Sequence, residues 1–229
     1  MKFKDLIWIV VLVLLLAIMV LPPMSNGYQW LNGNFPYVAG FIKFFILSTM
    51  GDMLCMRIKN KAWVKLPGLF WRALVYGFMG MVLTLVMQIF SNGVTFAMAN
   101  GFLPHAGDSF LTTFLTAFFT SVCMNFFFAP TFMGFHRVTD TLIDMHCAAR
   151  DTGNKVRLKD ALKNANFADF VGFVVLKTIP IFWVPAHTIT FLLPPEYRVM
   201  FAAILSLAMG IILSCAKNRT AKNPKGLQA

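Results

Sequence analysis

Lys43, Asp52 and Lys177 stand within runs of apolar sequence, where a charge at the centre of a bilayer costs about 2.5–3.5 kcal/mol. Such groups must face protein or water and find partners, so chemistry is sought there first. Taking Arg57 and Asp169 as markers of the inner boundary and about 1.5 Å of rise per residue, Asp52 lies about 7 Å deep and Lys177 about 12 Å deep. That spacing predicts an Asp52–Lys177 ion pair; the alternative is that Lys177 reaches the headgroups alone. Lys43 lies about 21 Å from the same boundary, with no carboxylate at its depth. It either extends to the opposite surface or lines a water-filled cavity, where its charge would favour anionic solutes.

Polar but uncharged groups form a second set. Thr112, Thr116 and Thr120 recur at i, i+4 and i+8, with Thr113, Ser121 and Asn125 beside them. A stripe of this kind packs helices or lines a path. Gly77, Gly80 and Thr84 read the same way. His136, Asp140 and Asp144 share one helical face; the reading is a solvated face, a cation site being the alternative. Pro130, Pro180 and Pro185 each remove a helix hydrogen bond, so kinks are expected there, with irregular backbone near residues 179–187. Irregular backbone at membrane depth persists only when buried in protein or lining water. Trp183, His187, Thr188 and Thr190 would then be members of a functional wall, or else mark a packing kink near the interface.

Nothing points to catalysis. GxSxG, HExxH, P-loop and dinucleotide patterns are missing, so the chain is read as no enzyme, with no cofactor and no metal. The four cysteines show neither CxxC spacing nor His partners and are read as reduced.

The elements that must position these groups are membrane helices. The chain has 229 residues, 58% of them hydrophobic and only 13% charged, too few charges to cover a water-facing surface. Six segments approach the roughly 20 apolar residues a span requires: Leu6–Met24, Pro36–Met56, Leu69–Phe90, Phe110–Phe135, Phe170–Leu193 and Val199–Ala216. The expected fold is an all-α polytopic transmembrane bundle, residues 1–216, followed by a basic disordered tail, 217–229. The first segment is read as a retained span, a cleaved signal peptide being the alternative.

Charge gives the orientation. With a cytoplasmic N-terminus, 17 of the 20 Lys and Arg fall on the inner side. They are Lys2 and Lys4; Arg57, Lys59, Lys61, Lys65 and Arg72; Arg137, Arg150, Lys155, Arg157, Lys159 and Lys163; and Lys217, Arg219, Lys222 and Lys225. Both termini are therefore placed in the cytoplasm. The net charge of +11 is topological, and no basic water-exposed domain remains for nucleic acid. In the inner loop 136–169, Leu158, Ala161, Leu162 and Ala165 fall on one face. They predict a short amphipathic helix, lying on the membrane surface or packed on the bundle.

Particular residues also suggest a family. The stretch Phe182-Trp183-Val184-Pro185-Ala186-His187-Thr188-Ile189-Thr190-Phe191, then Leu193-Pro194-Pro195-Glu196-Tyr197-Arg198-Val199 and Ile212-Leu213-Ser214, resembles the C-terminal signature of the Mpv17/PMP22 peroxisomal membrane protein family. Phe128-Ala129-Pro130-Thr131-Phe132 and Gly51-Asp52 resemble two further family segments. The chain departs from the family pattern at Met56, at Met124-Asn125 and around Gly80. The resemblance implies a small helical membrane protein, in an organelle or a bacterial inner membrane, with members reported or proposed to form pores for small solutes.

Together these readings lead to a channel or pore-like protein of a bacterial plasma or inner membrane. Its partners are the lipid bilayer and small solutes, anionic ones if Lys43 faces a cavity. The sequence leaves its oligomeric state open, a homo-oligomer included. The alternative is a non-conducting structural or accessory protein acting through helix–helix contacts with a partner.

Overall fold

The computed structural model describes residues 3–21, 24–107, 109–150 and 153–222, with side chains for all of these except 19–20 and 210–222. The described residues are helical and contain no strand. Eight continuous helices follow one another: α1 (Phe3–Val20), α2 (Met24–Asn34), α3 (Pro36–Asn60), α4 (Leu69–Ala99), α5 (Phe110–Ala149), α6 (Leu158–Asn164), α7 (Phe167–Leu192) and α8 (Pro195–Lys222).

Four of them, α3, α4, α5 and α7, are long and apolar enough to cross a membrane. Their outer surfaces agree. Phe127, Leu176 and Ile181 are each at least 65% exposed, which suits a lipid surface and would be costly in water. At 31 residues, α4 is roughly 46 Å long by a 1.5 Å rise. It runs beyond the roughly 30 Å hydrocarbon core and continues past Phe90, where the sequence suggested a loop. Likewise α5 does not stop at Phe135, and α8 continues through residues 217–222 of the expected tail. Residues 223–229 lie outside the described residues.

Small residues let α3 and α4 approach closely. A methyl group placed on Gly40 would overlap the Gly80 carbonyl, and one on Gly77 would overlap the Phe41 ring. Gly77 and Gly80 therefore do what their spacing suggested: they bring two backbones together. Trp8 Nε1 donates to the Met50 carbonyl at 3.2 Å, docking α1 on α3. Asp5 accepts from Arg57 (2.9 Å) and from Trp63 Nε1 (2.7 Å). One buried apolar cluster joins Phe44, Leu83, Met87, Met124, Phe191 and Ala203, and a second joins Ala129, Ile179, Trp183, Val184 and Met209.

The irregular backbone takes a specific form. Met124–Phe128 of α5 and Phe170–Trp183 of α7 are π-helical, with wider i→i+5 turns. The first ends just before Pro130. The second contains Pro180 and ends two residues before Pro185. Irregularity thus appears in the proline-bearing helix as expected, but begins at Phe170 and not near 179. The wider turn accommodates a ring that an i→i+4 helix would exclude.

One part of the fold differs from the sequence reading, and the inner-loop helix takes one of its two alternatives. Residues 25–34, between the first two expected spans, form α2, despite the two glycines and three asparagines of SNGYQWLNGN that disfavour a helix. Tyr28 supplies the reason: it is buried, stacks on Tyr197 at 6.1 Å and donates from its hydroxyl to the Glu196 carbonyl at 2.9 Å. In α6, Ala161 and Ala165 are buried while Leu158 and Leu162 are exposed, and Arg137 of α5 donates to the Ala165 carbonyl. The alanines pack the helix on the bundle and leave the leucines outward.

Candidate functional site

Of the cavities along the bundle, two hold the charged and polar sequence candidates. The larger of these two, about 500 Å³, is walled by α3, α4, α5, α7 and α8. The smaller, about 380 Å³, lies at the other end beneath α2 and the α7–α8 turn.

A chain of polar contacts runs along one part of the larger cavity. Tyr76 donates to Asp52 Oδ2 at 2.6 Å, and its ring stacks on His136 at 5.2 Å. His136 Nε2 lies 3.5 Å from Asp140 Oδ2. The buried Arg72 guanidinium pairs with Asp140 at 2.8 Å and with Asp144 at 2.6 Å. The face of His136, Asp140 and Asp144, read as solvated, keeps Asp144 61% exposed but meets Arg72 of α4 through both aspartates. Among the described residues no cluster of His, Cys, Asp or Glu could hold a metal ion. Arg72 supplies the positive charge that a cation would have brought.

A second network lies deeper. Asn125, fully buried, donates to the Ser121 carbonyl at 2.8 Å and to Ser121 Oγ at 3.2 Å, and the Ser121 hydroxyl donates to the Val184 carbonyl at 2.7 Å. His187 Nδ1 lies 3.0 Å from Asn125 Nδ2 and 3.1 Å from Asn125 Oδ1, so the imidazole tautomer decides whether it accepts from the amide or donates to it. Trp183 stacks on His187 at 5.2 Å. Asp52, Asn125, Trp183 and His187 therefore line one cavity, which is otherwise mostly apolar.

The remaining sequence candidates lie elsewhere. Lys177 is exposed on the outside of the bundle, and Asp52 is engaged by Tyr76; among the described residues no Asp52–Lys177 ion pair forms. Depth alone suggested that pair, but an i→i+5 helix turns less per residue than an i→i+4 helix, and the π-helical start of α7 carries Lys177 away from α3. Thr116 and Thr120 donate to carbonyls four residues earlier, at 2.8 and 2.7 Å, and line neither cavity. Cys123 and Cys147 are free thiols; the side chain of Cys215 lies outside the described residues.

Lys43 lines the smaller cavity. Its ammonium donates to Asn32 Oδ1 and sits over the Tyr28 ring, 5.0 Å from the centroid. No sequence pattern points to this partner, which stands on a helix that its glycines and asparagines disfavour.

The linings of the two cavities adjoin. Lys43 faces the smaller and Phe44 the larger; Thr84 and Leu83, and Val199 and Ala202, divide in the same way. Phe44, Leu83, Met87, Val199 and Ala202 all belong to the first buried cluster.

Fold and site define a helical membrane protein with a few polar and charged groups gathered in cavities of an apolar bundle. Comparison with family models, with curated proteins and with solved structures returned no match.

Proposed function

We propose that this protein is a channel or pore-like protein for small solutes, with six spans and both termini on the cytoplasmic side of a bacterial inner membrane. One observation carries the reading: two cavities bearing polar groups share the walls of α3, α4 and α8, and apolar residues of one buried cluster, Phe44 and Leu83 on one side and Met87 and Val199 on the other, stand where their linings adjoin. Hydrophobic constrictions of this kind gate by dewetting. In this orientation Lys43 stands in the outer vestibule, and the Arg72–Asp140–Asp144 group lies at the inner mouth. The resemblance to the Mpv17/PMP22 family, carried by Trp183 to Val199, points the same way. The reading involves no catalysed reaction, cofactor or nucleic acid.

A second reading has its own observation. An apolar groove of about 810 Å³ runs between α4 and α5, lined by Trp71, Phe78, Phe135 and Ile143, and would suit a partner helix of a non-conducting accessory protein.

Reconstitution in liposomes, with single-channel recording and solute efflux, separates the two. The pore reading expects conductance in the wild type, a lowered anion preference in Lys43→Ala, and faster efflux in Leu83→Ser, which wets the apolar cluster. Silence from folded, inserted protein across voltage, pH and redox conditions would overturn it in favour of the accessory role.

A further inference from the structure

The Lys43 cavity holds more than one charge. The described Lys, Arg, Asp and Glu residues at this end of the molecule are Lys43, Glu196 and Arg198, and all three line it. In a bundle so poor in charge, their collection around one space calls for a physical account.

Arg198 is accounted for by the fold. Its Nε donates to the Leu193 carbonyl at 2.9 Å, one Nη to the Phe191 carbonyl at 3.0 Å and the other to Ser91 Oγ at 3.3 Å. It therefore caps the C-terminal carbonyls of α7. Lys43 and Glu196 are not used up in this way. Asn32 takes one of the three ammonium donors of Lys43. The carboxylate of Glu196 accepts no described hydrogen bond, since the one from Tyr28 goes to its backbone carbonyl, and its charge is felt by Arg198. Lys43 and Glu196 line the same cavity, and among the described residues no ion pair joins them. Tyr28 fixes both walls, its ring under Lys43 and its hydroxyl on the Glu196 backbone.

We infer that this cavity is a binding site for a small zwitterion, with its carboxylate on Lys43 and its ammonium group on Glu196. A simple anion would meet Lys43 and Arg198 but face Glu196, and a simple cation would meet Glu196 but face both basic groups; a molecule bearing both charges satisfies both walls. Gln29 and Gln88 add amides to the lining, while Met87 and Val199 form the apolar limit that keeps the ligand small. Amino acids and ω-amino acids are the chemical class. As a binding site this is independent of conduction; as the solute class of the proposed path it rests on that reading.

The test is isothermal titration of the purified full chain in detergent with glycine, β-alanine and 4-aminobutyrate, a series that spans charge separations, and with acetate and methylamine as single-charge probes. At least one zwitterion is expected to bind about tenfold or more tighter than either single-charge probe. Lys43→Met and Glu196→Gln are each expected to weaken it about tenfold or more, with both variants monodisperse. If Lys43→Met does not fold, Glu196→Gln decides alone. No binding by any zwitterion, acetate binding as tightly as the best zwitterion, or an unaffected Glu196→Gln variant would each overturn the site. Flux is measured separately in liposomes: binding without flux removes the pore and keeps the site, and flux without binding does the reverse.

Discussion

Replacing Arg72 with methionine tests the reading of the inner mouth most directly. The arginine side chain is 7% exposed and holds Asp140, 26% exposed, and Asp144, 61% exposed. Removing one partner of a buried ion pair costs about 3–5 kcal/mol, mostly because a charge is left unpaired. Here the cost is smaller, since Asp144 recovers hydration and an exposed pair is worth only about 0–1 kcal/mol. The estimate for Arg72→Met is then about 2–3 kcal/mol, most of it from stranding Asp140. A chain of this length shifts its midpoint by about 2–4 °C per kcal/mol, so thermal unfolding in a fixed detergent, followed by tryptophan fluorescence, should move down by about 5–10 °C. The cycle with Asp140→Asn sharpens the test. Without the stranded carboxylate, the double variant should lose less than the sum of the two single variants. A shift below about 2 °C, or strict additivity of the two changes, would refute the reasoning.

Other variants probe the packing and the vestibule. Gly80→Ala places a methyl group 2.8 Å from Phe44 Cβ and against the Gly40 backbone, so a loss of about 1–3 kcal/mol is expected from overpacking. Gly93→Ala, with nothing within 4 Å, should leave the melting temperature unchanged or raise it. Burial, the largest cause, raises the Tyr28 phenol well above its ordinary value, near pH 10. A raised folded value means stability present below about pH 10 and lost as pH rises further. Melting temperature should therefore fall above that pH in the wild type, and less steeply in Tyr28→Phe.

Composition and charge were enough to make the chain an all-helical membrane protein, because lipid demands apolar spans with internally satisfied backbone. The helix-packing role of Gly77 and Gly80 was also legible, since small residues one turn apart have few other uses in an apolar helix. Pro180 marked α7 as irregular for a local reason, its missing N–H. Which groups meet was decided only by the tertiary structure. Depth estimates place residues along the membrane normal but not around the helix axis, so Lys177 was given to Asp52 when Tyr76 holds it. Helix propensity disfavours α2, and only the burial of Tyr28 against the α7–α8 turn overrides it, bringing Asn32 and Glu196 to the cavity of Lys43. His136, Asp140 and Asp144 share a face by periodicity alone; that this face meets a buried charge follows from Arg72, 64 residues before the first of them, on a neighbouring helix whose approach no local pattern records.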